Sequence, residues 1–213
     1  GTASALSFGT GGESGTYYAF GGVLASFVSG KSDCKVTALT SGGSQANVED
    51  LTNGNVQLAF VQSDVMNYAY NGQRLFDSPV TGFSVVAQLY QEQVQIVTTN
   101  PDIKTVADLA GKKVSIGAAG SGVYFNAIDV LSAYDLKESD ISAVYQSFGD
   151  SAESLKDGKI DAAFIVAGAP TTAITDLATA GSVYLVSLDD SHVQSLLSAS
   201  PYYTAATIKA GTY

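Results

Sequence analysis

The sequence predicts an α/β fold built from two similar lobes, each a mostly parallel sheet with flanking helices. Three observations lead to this fold class. Short apolar strands alternate with helical segments along the 213 residues, which is typical of parallel sheets with crossover helices. The turns after several of these strands are rich in glycine. Finally, two motifs recur in the second half of the chain, which indicates two related half-molecules.

The first half of the chain contains three predicted strand–helix pairs. The strands are expected at residues 6–8, 35–39 and 56–61, and the helices at residues 17–28, 44–53 and 65–70. Ser44 is the predicted N-cap of the second helix, because a serine hydroxyl accepts a hydrogen bond from the unpaired N–H groups there. Asp64 follows the third strand, and the residues leave open a helix cap, a ligand contact or both.

The remaining chain continues the alternation of strands and helices. Strands are expected at residues 80–89, 94–98, 114–116, 141–145, 160–166 and 183–186, and helices at residues 105–109, 124–134, 152–156, 172–178 and 191–197. The first lobe is expected at residues 1–96 and the second at residues 97–204. The last segment, residues 205–213, is a candidate for returning to the first lobe.

Two repeated motifs support the division into similar lobes. Ser-Gly-x-Tyr occurs at residues 14–17 and again at residues 121–124, each time between an apolar strand and a helix. The pattern L-x-x-G-x-(V/I)-x-x-A-F occurs at residues 51–60 and again at residues 155–164. Both pairs lie in the same order and at almost the same offset. Chance similarity of strand–turn–helix units is the alternative, and the period is too long for a solenoid.

Composition excludes several classes of protein. Hydrophobic residues make up 46% and charged residues 14%, so a sizeable core is expected and disorder is not. The net charge is −10 without any basic run, which argues against nucleic acid as a partner. The single cysteine, Cys34, is expected to be a half-buried packing residue. No run of about twenty apolar residues predicts a membrane helix, and the small residues 1–5 resemble the end of a leader.

Common cofactor and catalytic motifs fail in this sequence. The P-loop spacing GxxxxGK requires glycine at position 106, which is valine. The turn at residues 9–14 ends in serine where the dinucleotide fingerprint needs its third glycine. The only histidine, His192, is expected to face solvent in a polar helix, which leaves a serine hydrolase without its base. No His/Cys cluster predicts a transition-metal site, and no cofactor is expected.

The polar loops after the strands form the predicted ligand site. In parallel α/β folds, ligands bind beyond the carboxyl ends of the strands. The loops concerned are residues 10–16, 41–44, 62–64, 118–122 and 168–170. Two facing lobes would bring these loops to one cleft. The helix N-termini behind the glycine-rich turns favour an anion such as a carboxylate.

Tyrosines next to these loops are further candidates for ligand contacts. Tyr17 and Tyr124 hold matching places in the two Ser-Gly-x-Tyr motifs, and Tyr90 adjoins the loops. A tyrosine supplies an apolar face and a hydroxyl together, which suits a small polar ligand. For Tyr18, core packing is the expected role.

Five longer segments carry a family resemblance. They are FGTGGESGTYYAFGG at residues 8–22, SGGSQANVEDLTNG at 41–54, QLAFVQSDV at 57–65, DLAGKKVSIGAAGSG at 108–122 and LKDGKIDAAFIVAGAPTTAI at 155–174. Together with the PYY and GTY near the end, they resemble the TAXI family of TRAP-transporter solute-binding proteins. The resemblance covers nearly the whole chain in order, although DLxGKxV alone is shared by many binding proteins.

The resemblance implies a receptor and not an enzyme. TAXI proteins close two lobes on a small acidic solute, often glutamate, glutamine or a related carboxylate, and deliver it to a membrane permease driven by an ion gradient. A monomer is expected in the periplasm, or as a lipoprotein on the outer face of the cytoplasmic membrane, made with a signal sequence. The contacts implied are Gly15, Thr16, Tyr17, Ser44, Asn47, Gln62, Asp64, Ser121, Gly122, Tyr124, Gly168 and Pro170.

Within that set, the expected roles differ. Ser44, Ser121 and the helix N-termini would hold carboxylates, and Asp64 would take an amino group. Family members continue beyond the Gly-Thr-Tyr motif, whereas this chain stops at Tyr213, so an incomplete first lobe is expected.

Two other functions stay open at this point. An enzyme on the same scaffold would need Asp64 or Glu13 as its general base. The effector-binding domain of a transcription regulator shares the architecture.

Overall fold

The computed structural model describes residues 4–213, and their packing divides them into two units. The first comprises the chain up to Tyr90 together with residues 120–122, and the second comprises residues 91–119 and 123–213. The division therefore differs from the boundary expected after residue 96, because residues 93–98 are a strand in the sheet of the second unit. The leader-like residues 1–3 lie outside the described part of the chain.

The first unit is a three-stranded parallel sheet with three helices. Its elements are β1 (Ala5–Gly9), α1 (Thr16–Lys31), β2 (Lys35–Leu39), α2 (Ser44–Thr52), β3 (Leu58–Ala59) and α3 (Ser63–Asn71). The strand order is β2-β1-β3, with β1 parallel to both neighbours. All three strands therefore end at one edge of the sheet, and each helix begins just beyond that carboxyl edge.

Apolar side chains of α1 cover one face of this sheet. Phe20 and Ala25 of α1 pack with Phe8, Val36 and Phe60, which come from the strands or directly follow them. The rings of Phe8 and Phe60 lie 4.7 Å apart between centroids. Burying each such side chain contributes about 1.5–3 kcal/mol, so this cluster fixes α1 against the sheet and with it the position of its N-terminus.

The second unit is a five-stranded mixed sheet with four α-helices. Its elements are β4 (Gln93–Thr98), β5 (Lys113–Ser115), α4 (Val123–Ala133), β6 (Ser142–Val144), α5 (Phe148–Lys156), β7 (Ala162–Ala167), α6 (Thr172–Ala180), β8 (Tyr184–Leu185) and α7 (Asp190–Ala199). Short 3-10 turns occur at Val106–Leu109 and Glu138–Asp140. The order is β6-β5-β7-β4-β8, and only β4 runs antiparallel to its neighbours. The predicted α/β class is confirmed.

The two units repeat one order of strands and helices. The run β1-α1-β2-α2-β3-α3 corresponds to β5-α4-β6-α5-β7-α6, and in both runs the first strand lies between the second and the third. The turn after α2 is repeated after α5: the N–H of Gly54 donates to Leu51 at 3.2 Å, and that of Gly158 to Leu155 at 3.1 Å. Both glycines have positive φ, 75° and 68°, which favours glycine. The repeated L-x-x-G pattern therefore encodes a helix end.

Two predicted strands differ from the structure. Residues 80–89 pair with no strand among residues 4–213 and form no helix, and Val85 and Val86 are exposed by 65% and 83%. Residues with high β-propensity do not form a strand there, because the backbone of a strand needs a neighbouring strand for its hydrogen bonds. The strand expected at residues 56–61 is paired only over Leu58–Ala59.

The predicted N-cap at Ser44 is wrong. The N-cap of α2 is Gly43, so Ser44 is the first helical residue, and the N-cap of α3 is Gln62, so Asp64 lies within the first turn. In the last segment, Tyr213 packs against the core of the second unit. No helix within residues 4–213 is long and apolar enough to cross a membrane.

Candidate functional site

Three helices begin at the carboxyl edge of the first sheet without a side-chain cap. Their N-caps are Gly15 for α1, Gly43 for α2 and Gln62 for α3, and none of these side chains accepts a bond from the first turn. In the second unit, the side chains of Ser147 and Asp189 cap α5 and α7. The positive end of the helix dipole at each of these N-termini favours a nearby anion.

Residues 120–122, from the second Ser-Gly-x-Tyr motif, pack on the start of α2. The N–H of Ala46 donates to the carbonyl of Gly120 at 2.9 Å. Ser121 lies against Gly43, because a Cβ built on Gly43 would stand 3.3 Å from the Cβ of Ser121. Ser121 therefore belongs to the edge formed by the first unit, beside the N-terminus of α2.

The hydroxyl of Ser121 is the strongest sign of a ligand at this edge. The residue is 5% exposed, and its Oγ has no hydrogen-bond partner within the described chain. Leaving a buried hydroxyl unpaired costs about 1–3 kcal/mol, and folded proteins pair most such groups. This hydroxyl is therefore available to donate a hydrogen bond.

Ser44 connects three loops of the same edge. Its Oγ accepts the N–H of Gln62 at 3.0 Å and lies 3.4 Å from the hydroxyl of Tyr17. Tyr17 stacks on Phe60 at 4.9 Å between centroids and meets Tyr90 edge-on at 6.5 Å. The structure thus brings together Tyr17, Ser44, Gln62 and Tyr90, which the sequence had predicted as contacts.

Asn47 has a bracing position in this edge. Its Nδ2 donates to the carbonyls of Thr10 and Phe60, both at 2.8 Å. These two carbonyls follow β1 and β3, so the amide ties the ends of two strands together. Asn47 is fully buried, and no described residue pairs with its Oδ1. Asn47 therefore stabilises the positions of the two strand ends. Its residue type alone did not predict this role.

Asp64 is the buried carboxylate of this edge. It is 4% exposed and lies in the first turn of α3, where the helix dipole stabilises a negative charge. Its Oδ1 accepts the Nε2 of Gln62 at 3.1 Å and the N–H of Val65 at 2.8 Å. Asp64 therefore anchors the side chain of Gln62.

The basic residues of the first unit lie away from the carboxyl edge. Lys31 ends α1 and Lys35 opens β2, so both belong to the opposite edge. Arg74 follows α3 and lies over the ring of Tyr68 at 5.0 Å. The carboxyl edge carries the hydroxyl of Ser121, which has no partner within the described residues, and the N-terminus of α2. Such neutral donors suit a group with a single negative charge.

Tyr124 has different surroundings from Tyr17. In the second unit its hydroxyl donates to the carboxylate of Glu138 at 2.9 Å, and Tyr145 donates to the same carboxylate. The hydrogen bond to Glu138 raises the pKa of Tyr145 to about 12. Tyr17 and Tyr124 therefore hold matching positions in the repeat, but their hydroxyls contact different partners.

A buried network shapes the loop that carries Gly168 and Pro170. Thr171 Oγ1 donates to the carbonyl of Gly168 at 2.7 Å and accepts from Gln95 at 2.9 Å. The hydroxyl of Tyr213 accepts the N–H of Thr171 at 3.0 Å and donates to Gln95. Pro170 follows a cis peptide bond. Sequence reasoning missed Gln95 and Thr171, because a polar residue within a strand or before a helix gives no distinct signal.

His192 lies in a surface cluster of the second unit and not alone in solvent. Its ring stacks on Tyr134 at 3.6 Å, and its Nδ1 lies 2.6 Å from Asp189. Hydrogen bonds from Ser191 and then from His192 hold the pKa of Asp189 below its usual range. This cluster caps α7. Within residues 4–213, no group of three His, Cys, Asp or Glu side chains is arranged to hold a metal ion.

Comparison with known proteins gives one family match and many structural neighbours. The sequence profile of the NMT1-like family matches residues 8–213. The alkanesulfonate-binding protein SsuA of Xanthomonas axonopodis pv. citri, solved with bound MOPS, is 21% identical with a TM-score of 0.57. The match covers 88% of this chain but 61% of that one.

Two amino-acid-binding proteins have similar structures. An ancestral arginine-binding protein bound to glutamine has a TM-score of 0.60 and 17% identity, covering 89% of this chain and 80% of that one. The substrate-binding protein AbpA of an amino acid ABC transporter from Streptococcus pneumoniae, bound to L-arginine, has a TM-score of 0.58 and 16% identity. That match covers 86% of this chain and 75% of AbpA. These likenesses show the fold of two-lobed periplasmic binding proteins.

Proposed function

Because the chain belongs to the NMT1-like family, we propose that it is an extracytoplasmic solute-binding receptor of a membrane transporter. Three of its solved neighbours bind alkanesulfonates or amino acids. In this proposal, the anionic group of the solute binds at the carboxyl edge of the first unit. The observation that carries it is the buried, unpartnered Ser121 Oγ at the uncapped N-terminus of α2.

Neutral hydrogen-bond donors supply the binding free energy in this proposal. Ser44, Ser121 and the first N–H groups of α2 donate to the oxygens of the solute. Charge-assisted hydrogen bonds contribute about 1.5–3 kcal/mol each. A micromolar dissociation constant corresponds to about 8 kcal/mol, so a few such bonds are enough.

The proposed solute is a small carboxylate or amino acid, with glutamate and glutamine as the first candidates. Asp64 would accept an ammonium group where the solute has one, and Tyr17 and Tyr90 would give apolar cover. Gly168 and Pro170 stay candidates for contacts from the second unit. The similarity to an alkanesulfonate-binding protein adds sulfonates to the ligands worth testing.

Thermal unfolding with a panel of solutes tests this proposal. A solute that binds only the folded protein raises the melting temperature as its concentration exceeds the dissociation constant. The panel contains amino acids, dicarboxylates and alkanesulfonates, and native mass spectrometry of the purified protein looks for a solute carried along. A melting temperature unchanged by every member, with no bound solute, would overturn the proposal.

Asp64→Asn separates the two classes of solute. We expect an affinity about tenfold lower for amino acids, because the ammonium group loses a charge-assisted partner. Dicarboxylates and sulfonates should bind no worse, because a repulsive charge is removed. Asp33→Asn is the control, since it makes the same charge change at an exposed turn after α1. Equal losses for both classes would refute the amine role of Asp64.

The type of transporter is a separate part of the proposal. The TAXI-like motifs favour a TRAP system driven by an ion gradient, whereas two solved neighbours belong to ABC importers. Uptake into proteoliposomes that contain the cognate permease distinguishes the two. Uptake abolished by collapsing the ion gradient, with ATP absent throughout, supports a TRAP partner. A strict requirement for ATP would contradict it.

A further inference from the structure

One contact at the proposed site depends on the absence of a side chain at Gly122. A Cβ built on Gly122 would lie 2.4 Å from Oε1, 2.5 Å from Cδ and 2.8 Å from Nε2 of Gln62. Real Cβ atoms essentially never show contacts under 3.0 Å. The Gln62 amide therefore occupies the space that any other residue at position 122 would fill.

Two hydrogen bonds hold Gln62 in this position. Its backbone N–H donates to Ser44 Oγ at 3.0 Å, and its Nε2 donates to Asp64 Oδ1 at 3.1 Å. Asp64 Oδ1 is the acceptor of this bond, so the NH₂ end of the amide faces Asp64. The backbone and the side-chain amide of Gln62 are thus both fixed beside Gly122. The amide forms a wall of the proposed site.

We propose that the contact between Gln62 and Gly122 sets the length of the solute, with Gln62 as the specificity-determining residue. The inference rests on the proposed function, because it takes the anionic group of the solute to be held by Ser121. Ser121 directly precedes Gly122, so a solute bound to its hydroxyl extends next to the Gln62 amide. Shortening this side chain lengthens the space for the solute.

Gly122 allows the wall to be moved without disturbing the fold. The neighbouring glycines Gly43 and Gly120 have φ of 117° and 79° and meet backbone or Cβ atoms, so alanine there strains the chain. Gly122 has no such φ, and its three nearest atoms all belong to one flexible side chain. In Gly122→Ala, the Gln62 amide alone must shift.

A double-mutant cycle tests the inference. Calorimetry compares the wild type, Gln62→Ala, Gly122→Ala and the double variant, using methane- to hexanesulfonate and aspartate, glutamate and α-aminoadipate as probes. We expect Gly122→Ala to weaken the best probe about tenfold, the effect of losing one good polar contact. In the Gln62→Ala background, the same methyl group should change affinity by less than about twofold. Gln62→Ala should also move the preference to a longer probe.

Two results would overturn the inference. One is a pair of tenfold losses in affinity that add in the double variant, and the other is an unchanged preference for probe length in Gln62→Ala. Gly82→Ala is the control, because nothing lies within 4 Å of a Cβ there, and thermal unfolding verifies that every variant is folded. Failure of the wild type to bind any probe overturns the proposed function and the inference with it. Wild-type binding that is lost in Ser121→Ala, together with an additive cycle, overturns the inference alone.

Discussion

The two units share a backbone plan and differ in the chemistry of their carboxyl edges. In both, the first strand of the repeated run lies between the second and the third, and the same glycine turn follows the second helix. In the first unit no N-cap side chain bonds the first turn of α1, α2 or α3. In the second, Ser147 caps α5 in this way, whereas Thr171 does not cap α6. The repeated glycine and apolar residues therefore preserve the fold. The proposed site depends on residues that the repeat does not share.

Asn47 and Ser151 give the largest expected contrast between the units. Asn47 precedes Leu51 at the spacing at which Ser151 precedes Leu155, so the two hold equivalent places. Asn47→Ala should lower the free energy of unfolding by about 2–3 kcal/mol, because two buried strand-end carbonyls lose a donor. Ser151→Ala loses one bond, at 2.8 Å to Ser115, and should cost about 1 kcal/mol. Urea denaturation measures both; equal losses would contradict a bracing role.

Gly21 and Gly22 test how closely α1 packs in the first unit. A Cβ on Gly21 would lie 2.5 Å from Thr10 and 3.1 Å from Phe60, whereas nothing lies within 4 Å of one on Gly22. Gly21→Ala should destabilise by about 1–3 kcal/mol through overpacking. Gly22→Ala should stabilise by up to about 1 kcal/mol, because alanine is the better helix former.

Thermal or chemical unfolding of both variants measures this contrast. The second unit has Ile128 at the place equivalent to Gly21, so the close approach belongs to the first unit only. A neutral Gly21→Ala would mean that α1 can lift from the edge of the sheet.

Ser121 and Ser14 compare the two copies of the repeated motif. Ser121→Ala should weaken the best solute at least about tenfold, because an oxyanion loses a buried donor. The melting temperature of the solute-free protein should not fall, because the hydroxyl removed has no partner within the described chain. Ser14→Ala, at a half-buried position, is the matched control and should change affinity less than about twofold. Calorimetry measures both variants, and equal losses would show that the two copies act alike.

Tyr17 and Tyr124 give the smallest expected contrast. Tyr17→Phe should weaken binding about threefold, since its hydroxyl lies by Ser44 at the proposed site. Tyr124→Phe should leave affinity unchanged, because its hydroxyl is bonded to Glu138 in the second unit. Solute affinities from the same titrations decide the matter. A larger loss in Tyr124→Phe than in Tyr17→Phe would reverse the assignment of the site.

Most helices and strands could be predicted from sequence because their signals are local. The stops at Gly54 and Gly158 and the apolar runs of β5 and β7 lie within a few residues of the elements they define. The failure at residues 80–89 has the opposite cause: an extended apolar segment becomes a strand only beside a partner, and no local signal supplies one.

The candidate site could be predicted in part, because the positions of its loops also follow from local signals. Loops after parallel strands reveal which residues share an edge, and Tyr17, Ser44 and Gln62 do lie together there. Residue type does not distinguish a structural contact from a ligand contact. Only the structure shows that Asn47 joins the ends of two strands. The contact of Gln62 with Gly122 joins residues far apart in sequence, so no motif could reveal it.

A crystal structure with the tightest-binding solute shows directly where its anionic group binds. We expect this group within hydrogen-bond distance of Ser121 Oγ and of the first N–H groups of α2, without a lysine or arginine among its first-unit contacts. An anionic group bound elsewhere, with Ser121 Oγ still unpaired, would contradict it.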